Sequence, residues 1–350
     1  MSDIRCLDKG DDPSLKAFLK GCPEATIFHT PEWRDAIVAT YGYSPLYLGC
    51  FGDAGLVSVL PLMEVSSWLT GRRLVSLPFS NICGPVGSRG AVAGLIDEAI
   101  GLCRSRGADA LEVRTRTDLN PVTDNRLRGV SYFVTSLVDL DPDPDVVWKR
   151  FTKDSNIRTE VRQSVKKGID VRPGETEQDL KAFYEVFAPA RQKHGVPPQP
   201  LGFFRNLWRH LKGEYLDLLL ATHQGRPVGG FITLGFGDTL SAAYIGADEA
   251  YRSHRVHQAL IWTAMKSGCE RGFKRFDFLR TPKNSPTLRH FKVRWGAREV
   301  DLNYLYHPEV KGTAATIEET AKYRLLAMVL KRSPTFVGKA LGRVLYRHLG

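Results

Sequence analysis

Residues 215–247, "YLDLLLATHQGRPVGGFITLGFGDTLSAAYIGA", decide how the chain is read. Three apolar runs are joined by two turn segments, "HQGRP" and "GFGD". Short apolar runs bounded by glycine, proline and aspartate predict consecutive antiparallel strands. A helix follows from about His257 to Arg271, with Ala259, Leu260, Trp262, Thr263 and Met265 spaced to bury one face. The strand "RFDFL", residues 275–279, comes next. The segment "TLRHFKVRWGAREVDLNYLY", residues 287–306, then reads as a cationic, aromatic helix, a glycine at 296, and a strand alternating through Leu302, Tyr304 and Tyr306.

The same grammar occurs upstream. A helix from Pro31 to Thr40 leads to "LYLGCF" (46–51), the turn "GDAG" and "LVSVLPL" (56–62). "RLVSLPF", a helix from Ala91 to Arg106, and "ALEVR" (110–114) complete the first pass. Hairpin, strand, helix and strand, found twice, predict an internally duplicated α/β fold with mixed sheets. Between the passes, "DLDPDPDVVWKRF" marks a boundary: Pro142 and Pro144 interrupt regular structure and Asp145 is placed to cap the next helix. The expected division is therefore 1–140, 141–308 and a tail from 309 to 350.

The 350 residues are 43% apolar and 10% aromatic, a composition that folds, with room for two cores. The net charge of +11 and pI near 9.4 favour polyanionic partners: nucleic acid, anionic lipid or phosphorylated substrates. Six cysteines, at 6, 22, 50, 83, 103 and 269, form no C-x-x-C pair and no zinc spacing, and are expected as scattered buried thiols with no metal. The polar N-terminus is no signal peptide, and no apolar run approaches the roughly 20 residues needed to span a bilayer. The expected location is cytoplasmic.

In order along the chain stand "FHTPEWRDAI", "VSVLPLMEV", "LVSLPFSNICGPVG", "RTEVRQSVKKGIDV", "RPVGGFITLGFGDTLSAAYIGA", "CERGFKRFDFLRT" and "LRHFKVRWGA". Together they resemble the Fem-type (FemAB-like) peptidyl- and aminoacyltransferases, including the subgroup that accompanies exosortase and exopolysaccharide clusters. The resemblance implies two tandem GNAT-like (acyl-CoA N-acyltransferase-like) domains. It implies transfer of an aminoacyl or acyl group, from aminoacyl-tRNA or a thioester, to an amine of a cell-envelope or exopolysaccharide precursor, with no tightly bound cofactor. It also implies that Lys292 of the "FK" pair, beside Phe291, stabilises the oxyanion of acyl transfer. Two departures narrow what it implies, the first against ordinary acetyl-CoA binding and the second against a nucleotide-sugar or lipid-linked peptidoglycan acceptor. The place of the CoA-gripping R/Q-x-x-G-x-G/A loop reads "RSHRVH" (252–257), with Arg255 and His257 at the glycine positions. Peptidoglycan-directed members tend to carry a lysine four residues after the early tryptophan, where this chain has Ile37 after Trp33.

The residues themselves add further candidates. Arg158, Arg162 and Lys166 recur at i, i+4 and i+8, so they form a cationic ridge suited to a pyrophosphate or a tRNA backbone, with Lys167 beside it and Glu160 on another face. Arg280 follows the strand "RFDFL" at the end that faces a cleft in α/β sheets, and Asp277 within it either orients neighbours and contacts substrate or is a structural hydrogen-bonding residue. Tyr244 in "AAYIGA" could line an acyl cleft and move a proton. Arg191 precedes the proline-rich loop "HGVPPQP". In the first pass, the loop "SNICGPVG" offers Gly84 and Gly87 for close backbone approach.

Residues 321–350 carry seven lysines and arginines (Lys322, Arg324, Lys331, Arg332, Lys339, Arg343, Arg347) and no acid. Phe336, Val337, Ala340, Leu341, Val344 and Leu345 recur at helical spacing beyond Pro334. Such a basic amphipathic tail suits either a docked helix with solvated cations or peripheral contact with an anionic membrane. Two rival functions remain at this level: an acyl-CoA-dependent enzyme acting on a small metabolite or sugar amine, and a non-catalytic RNA- or membrane-binding module.

Overall fold

Two adjacent glycines show how the second half of the chain is layered. Gly229 and Gly230 lie in the strand Arg226–Phe236, and successive strand residues face opposite sides of a sheet. A Cβ on Gly229 would meet Val256 of the helix Val256–Glu270, and a Cβ on Gly230 would lie 2.8 Å from the ring of Phe183 in the helix Glu177–Lys193. Each glycine thus admits a helix against one face. The computed structural model describes residues 3–68, 70–116, 119, 123, 126–308 and 321–348, with the side chains of 321–326 left aside.

The chain divides into two compact units, Met1–Phe133 with Asp301–Ile317 and Leu345–Gly350, and Val134–Val300 with Glu318–Val344. This is not the linear division expected from the sequence. The strand Arg298–His307 carries the chain back, because Asn303–His307 pair antiparallel with Leu111–Thr115 of the first unit.

In the second unit, Ile169–Pro173, Leu216–His223, Arg226–Phe236 and Thr239–Ala247 follow one another as antiparallel neighbours. Arg275–Asp277 joins in parallel beside Thr239–Ser241, and Leu137–Asp139 pairs antiparallel with Arg275–Asp277 on its other side. The sheet is therefore mixed, as expected. Phe231, Ile232, Leu260, Phe276 and Trp295 are almost fully buried in its core. In the first unit, Asp3–Cys6, Leu48–Gly52 and Gly55–Leu60 pair antiparallel. Met63–Ser67 pairs antiparallel with Gly71–Val75, which runs parallel to Ala110–Thr115. The helix Arg89–Ser105 covers these strands with Leu95, Ile96 and Ala99, all fully buried.

Several local expectations are corrected. Asp143, not Asp145, caps the helix Pro144–Arg150: its carboxylate accepts from the Asp145 N–H at 2.9 Å, with Pro144 at the first helical position. The strand Arg128–Asp139 was not foreseen. The expected strand 275–279 stops at Asp277, and "RLVSLPF" leaves the extended conformation at Leu77 and Phe79, which have φ of 53° and 62°. Cys50, Cys83, Cys103 and Cys269 are buried, but Cys6 is exposed and Cys22 half-buried. Pro334 separates the helices Ala321–Arg332 and Thr335–Leu345. The tail boundary at 308/309 and the side chains of Lys322 and Arg324 lie outside the described residues. Among the described residues, no helix is long and apolar enough to cross a membrane.

A histidine ties two of the quoted motifs together in the first unit. The Nδ1 of the fully buried His29 accepts from the Thr26 N–H at 3.0 Å, which leaves Nε2 to donate to the Gly84 carbonyl at 3.0 Å. "FHTPEW" is thereby fastened to "SNICGPVG". Burial pushes the imidazole pKa down from 6.5 to about 4. The unfolded chain therefore binds this proton between about pH 6.5 and 4 while the folded chain does not, so stability falls as pH falls through that window. Replacing His29 with Leu should flatten that part of the acid limb of a urea-midpoint profile relative to the parent. It should also cost about 1–3 kcal/mol per buried group left unpaired at neutral pH.

Candidate active site

Helix Pro286–Val293 begins with proline at its first turn and ends in the left-handed Gly296, where φ is 77°. Its cations have different fates. Arg289 makes a two-pronged pair with Glu299 at 2.9 and 2.5 Å. Arg294 donates to the Ser155 carbonyl at 2.7 Å and to Glu160 at 2.8 Å. His290 is exposed. Lys292 turns inward and is buried.

The Lys292 ammonium carries three protons and donates to three acceptors: Phe278 O at 2.7 Å, Leu279 O at 2.8 Å and Thr281 Oγ1 at 2.6 Å. The turn these acceptors form is left-handed at Leu279, with φ of 58°. From the other side, Asp277 accepts the Leu279 N–H at 2.8 Å and the Thr135 hydroxyl. Leu279 is thus held at its N–H by an acid and at its carbonyl by a cation, which offsets the cost of left-handed backbone at a branched residue. The next residue, Arg280, emerges as an exposed side chain. Burial pushes the Lys292 pKa down from 10.5 to about 8, and the carboxylates of Asp277 and Glu299 oppose that fall.

Lys292, Asp277 and Arg280 are therefore gathered on one turn. Asp277, only 1% exposed, shapes the turn from within, in keeping with the orienting, hydrogen-bonding role that the sequence offered beside substrate contact. Phe291 packs against the core of this unit, and Trp295, fully buried, stands edge-on to Phe151 at 5.6 Å. Together they set the rotation of the helix that aims Lys292.

The cationic ridge lies on the helix Ile157–Lys166. Arg162 and Lys166 are exposed and Arg158 half-buried on its outer face, with the Arg162 guanidinium over the Trp148 ring at 5.7 Å. Ile157, Glu160, Val161 and Ser164 form the buried face. Glu160 is the residue that sequence reasoning undervalued. It receives Gln258 at 3.1 Å and Arg294 at 2.8 Å, and it stands 3.6 Å from Arg255. One buried carboxylate so connects the ridge helix, the start of helix 256–270 and the segment after Lys292. Its signal was present: an acid three residues after Ile157, within the apolar stripe.

At the start of helix 256–270, Arg255 takes the left-handed conformation that a glycine would fill, with φ of 57°. Lys167 donates to the Ser253 carbonyl of the same segment at 2.7 Å. Tyr244 is half-buried and edge-on to Phe203 at 5.7 Å and Phe204 at 5.1 Å, so its ring serves packing. It follows a bulge: Ile232 faces Tyr244 while Thr233 faces Ala242. Arg191, half-buried, lies one turn beyond Phe187 on the helix that packs against Tyr244. In the first unit, Ile37 is fully buried, so its position belongs to the core.

Residues 152–293, which hold the ridge and Lys292, match a family model described as an acetyltransferase (GNAT) domain. The solved structure of FemX superposes with a TM-score of 0.69 at 14% identity, covering 86% of this chain and 96% of that one. The chain shares with FemX a tandem GNAT-like fold. A tandem GNAT protein from the clavulanic acid biosynthesis pathway superposes with a TM-score of 0.56 at 12% identity, over 87% of this chain and 98% of that one. The UDP-N-acetylmuramoylpentapeptide-lysine N(6)-alanyltransferase of Weissella viridescens is 18% identical over 137 residues, 38% of this chain. That match spans about two fifths, 41%, of the curated relative's length. The Fem-type resemblance and the tandem fold expected from the motifs are borne out.

The depressed Lys292 pKa has a defined sign in stability. Between about pH 8 and 10.5 the unfolded chain keeps a proton that the folded chain releases, so stability rises with pH across that window. Lys292→Met should abolish this rise in a urea-midpoint series, and at pH 7 should cost about 1–3 kcal/mol for a buried acceptor left unmatched.

Proposed function

We propose that this Fem-like protein is an N-acyltransferase that moves an aminoacyl or acyl group from an activated donor to an amine of a cell-envelope precursor. The observation that carries the reading is the buried ammonium of Lys292, held with Asp277 and Arg280 on one rigid turn within the region that matches the GNAT domain. The named relative from Weissella viridescens acts on a lysine of a UDP-linked muramoyl pentapeptide, which supports an amine acceptor of that class.

In the reaction, the acceptor amine forms a C–N bond at the donor carbonyl, charge develops on the carbonyl oxygen, and the C–O bond to the leaving group breaks. The proton lost by the amine ends on the leaving hydroxyl. A fixed cation that meets the developing oxyanion lowers this barrier. Lys292 can meet it by releasing one of its three acceptors. The Thr281 hydroxyl is the one that yields, because it swings about a single bond, whereas the Phe278 and Leu279 carbonyls are fixed by the backbone. Arg158, Arg162 and Lys166 hold the anionic part of the donor, and Arg280 an anionic part of either substrate. Arg191 and Tyr244 lie in the same unit, where the Tyr244 ring packs against Phe203 and Phe204.

Aminoacyl-tRNA is favoured over acyl-CoA as donor. Arg255 occupies the left-handed position where a glycine would let a pyrophosphate reach the amides of helix 256–270. Incubation of the purified chain with aminoacyl-tRNA and with acyl-CoA, each with UDP- and lipid-linked envelope precursors, should give an amide product from the tRNA donor alone. Robust release of free CoA thiol would overturn the donor assignment. Lys292→Met should lower the rate by on the order of 10²–10³. Arg162→Glu with Lys166→Glu should raise KM for the donor while changing kcat little.

A further inference from the structure

The two C-terminal helices pack with their smallest residues inward and their largest apolar residues outward. The buried Gln192 donates from Nε2 to Leu330 O at 3.0 Å, Ser333 O at 2.5 Å and Pro334 O at 3.3 Å, which fixes the joint between the helices. Beyond the joint, Gly338 faces the Gln192 side chain and Gly342 faces the Pro198 carbonyl, and neither site has room for a Cβ. Lys339 pairs with Glu185 at 3.0 Å. The rotation of helix 335–345 about its axis is therefore set.

That rotation divides the apolar residues into two stripes. Val337, Leu341 and Leu345 are half-buried beside the glycines. Phe336, Ala340 and Val344, at i, i+4 and i+8, form the outer stripe, with Phe336 71% and Val344 57% exposed. Met328 and Val329 are exposed on the preceding helix. Lys331, Arg332 and Arg343 are exposed among them, and no acid occurs from 321 to 350. A helix that only covered the 192–200 segment would bury its large apolar side chains and expose its small ones. RNA would satisfy the cations and leave the phenylalanine and valine in water. Exposed apolar side chains among cations match the boundary of a bilayer with anionic head groups.

We propose that the outer face of helix 335–345 lies in the surface of an anionic membrane, with Phe336 and Val344 entering the acyl boundary and Arg332 and Arg343 meeting lipid phosphates. The inference uses no residue of the candidate active site and stands apart from the acyl-transfer reading.

Co-sedimentation of the full chain with vesicles tests it. The protein should pellet with phosphatidylcholine vesicles that contain phosphatidylglycerol and hardly at all with pure phosphatidylcholine. Phe336→Glu with Val344→Glu should weaken binding by on the order of tenfold or more. Both positions are exposed, so the thermal melt should not move. Arg332→Glu with Arg343→Glu should remove the preference for phosphatidylglycerol, also by about tenfold or more. Equal binding to both vesicle types would overturn the proposal. So would loss of binding on charge reversal with no effect of the Phe336→Glu, Val344→Glu pair, the pattern of a plain polyanion site. A concentration-dependent dimer in sedimentation velocity that the Phe336→Glu change dissolves would assign the face to a second copy instead.

Discussion

The burial of one ammonium group governs the shape of the candidate active site. Taking a lysine cation out of water costs several kcal/mol unless its protons find acceptors. Lys292 finds three, and two of them are backbone carbonyls of consecutive residues, Phe278 and Leu279. Two neighbouring carbonyls can converge on one cation only if the backbone turns between them, and Leu279 is left-handed for that reason. The strand ends at Asp277, whose carboxylate takes the Leu279 N–H that the turn leaves without a strand partner. Arg280 is presented outward as a consequence.

Around that turn the second unit is tied by a few polar groups set into an apolar frame. Glu160 gathers Gln258 and Arg294, with Arg255 nearby, so the ridge of Arg158, Arg162 and Lys166 and the segment following Lys292 are braced against the same carboxylate. Gly229 and Gly230 let helices settle on both faces of the sheet that carries the turn. The phosphate-gripping loop of many GNAT proteins is replaced here by Arg255, which keeps the left-handed bend and adds a side chain where a diphosphate would approach.

Much of this was legible in the sequence because it rests on local patterns. Alternation through 215–247, the glycine-bounded hairpins and the apolar stripe of Ala259, Leu260 and Met265 each encode an element, and each was found. Lys292 stood out from Arg289 and Arg294 by its motif, and burial separates it from both. What could not be read depends on partners distant along the chain. The end of the strand at Asp277 is imposed by a lysine fifteen residues later. Glu160 looked like an interruption of a basic run because its partners lie about 100 and 134 residues away. The exposure of Phe336 and Val344 could not be told from helical spacing alone, since six apolar residues at that spacing make two stripes and only Gly338 and Gly342 decide which is inside.

The state of the Lys292 ammonium is the quantity on which the account rests. It can be followed by NMR titration of the chain labelled with carbon-13 at the lysine ε position, with the Lys292→Met spectrum subtracted to assign the signal. The account predicts one lysine titrating near 8, far below the ordinary 10.5, and missing from the variant. A Lys292 signal that titrates at the ordinary value would mean an ammonium in water, with the 278–281 turn held by something else, and would contradict it.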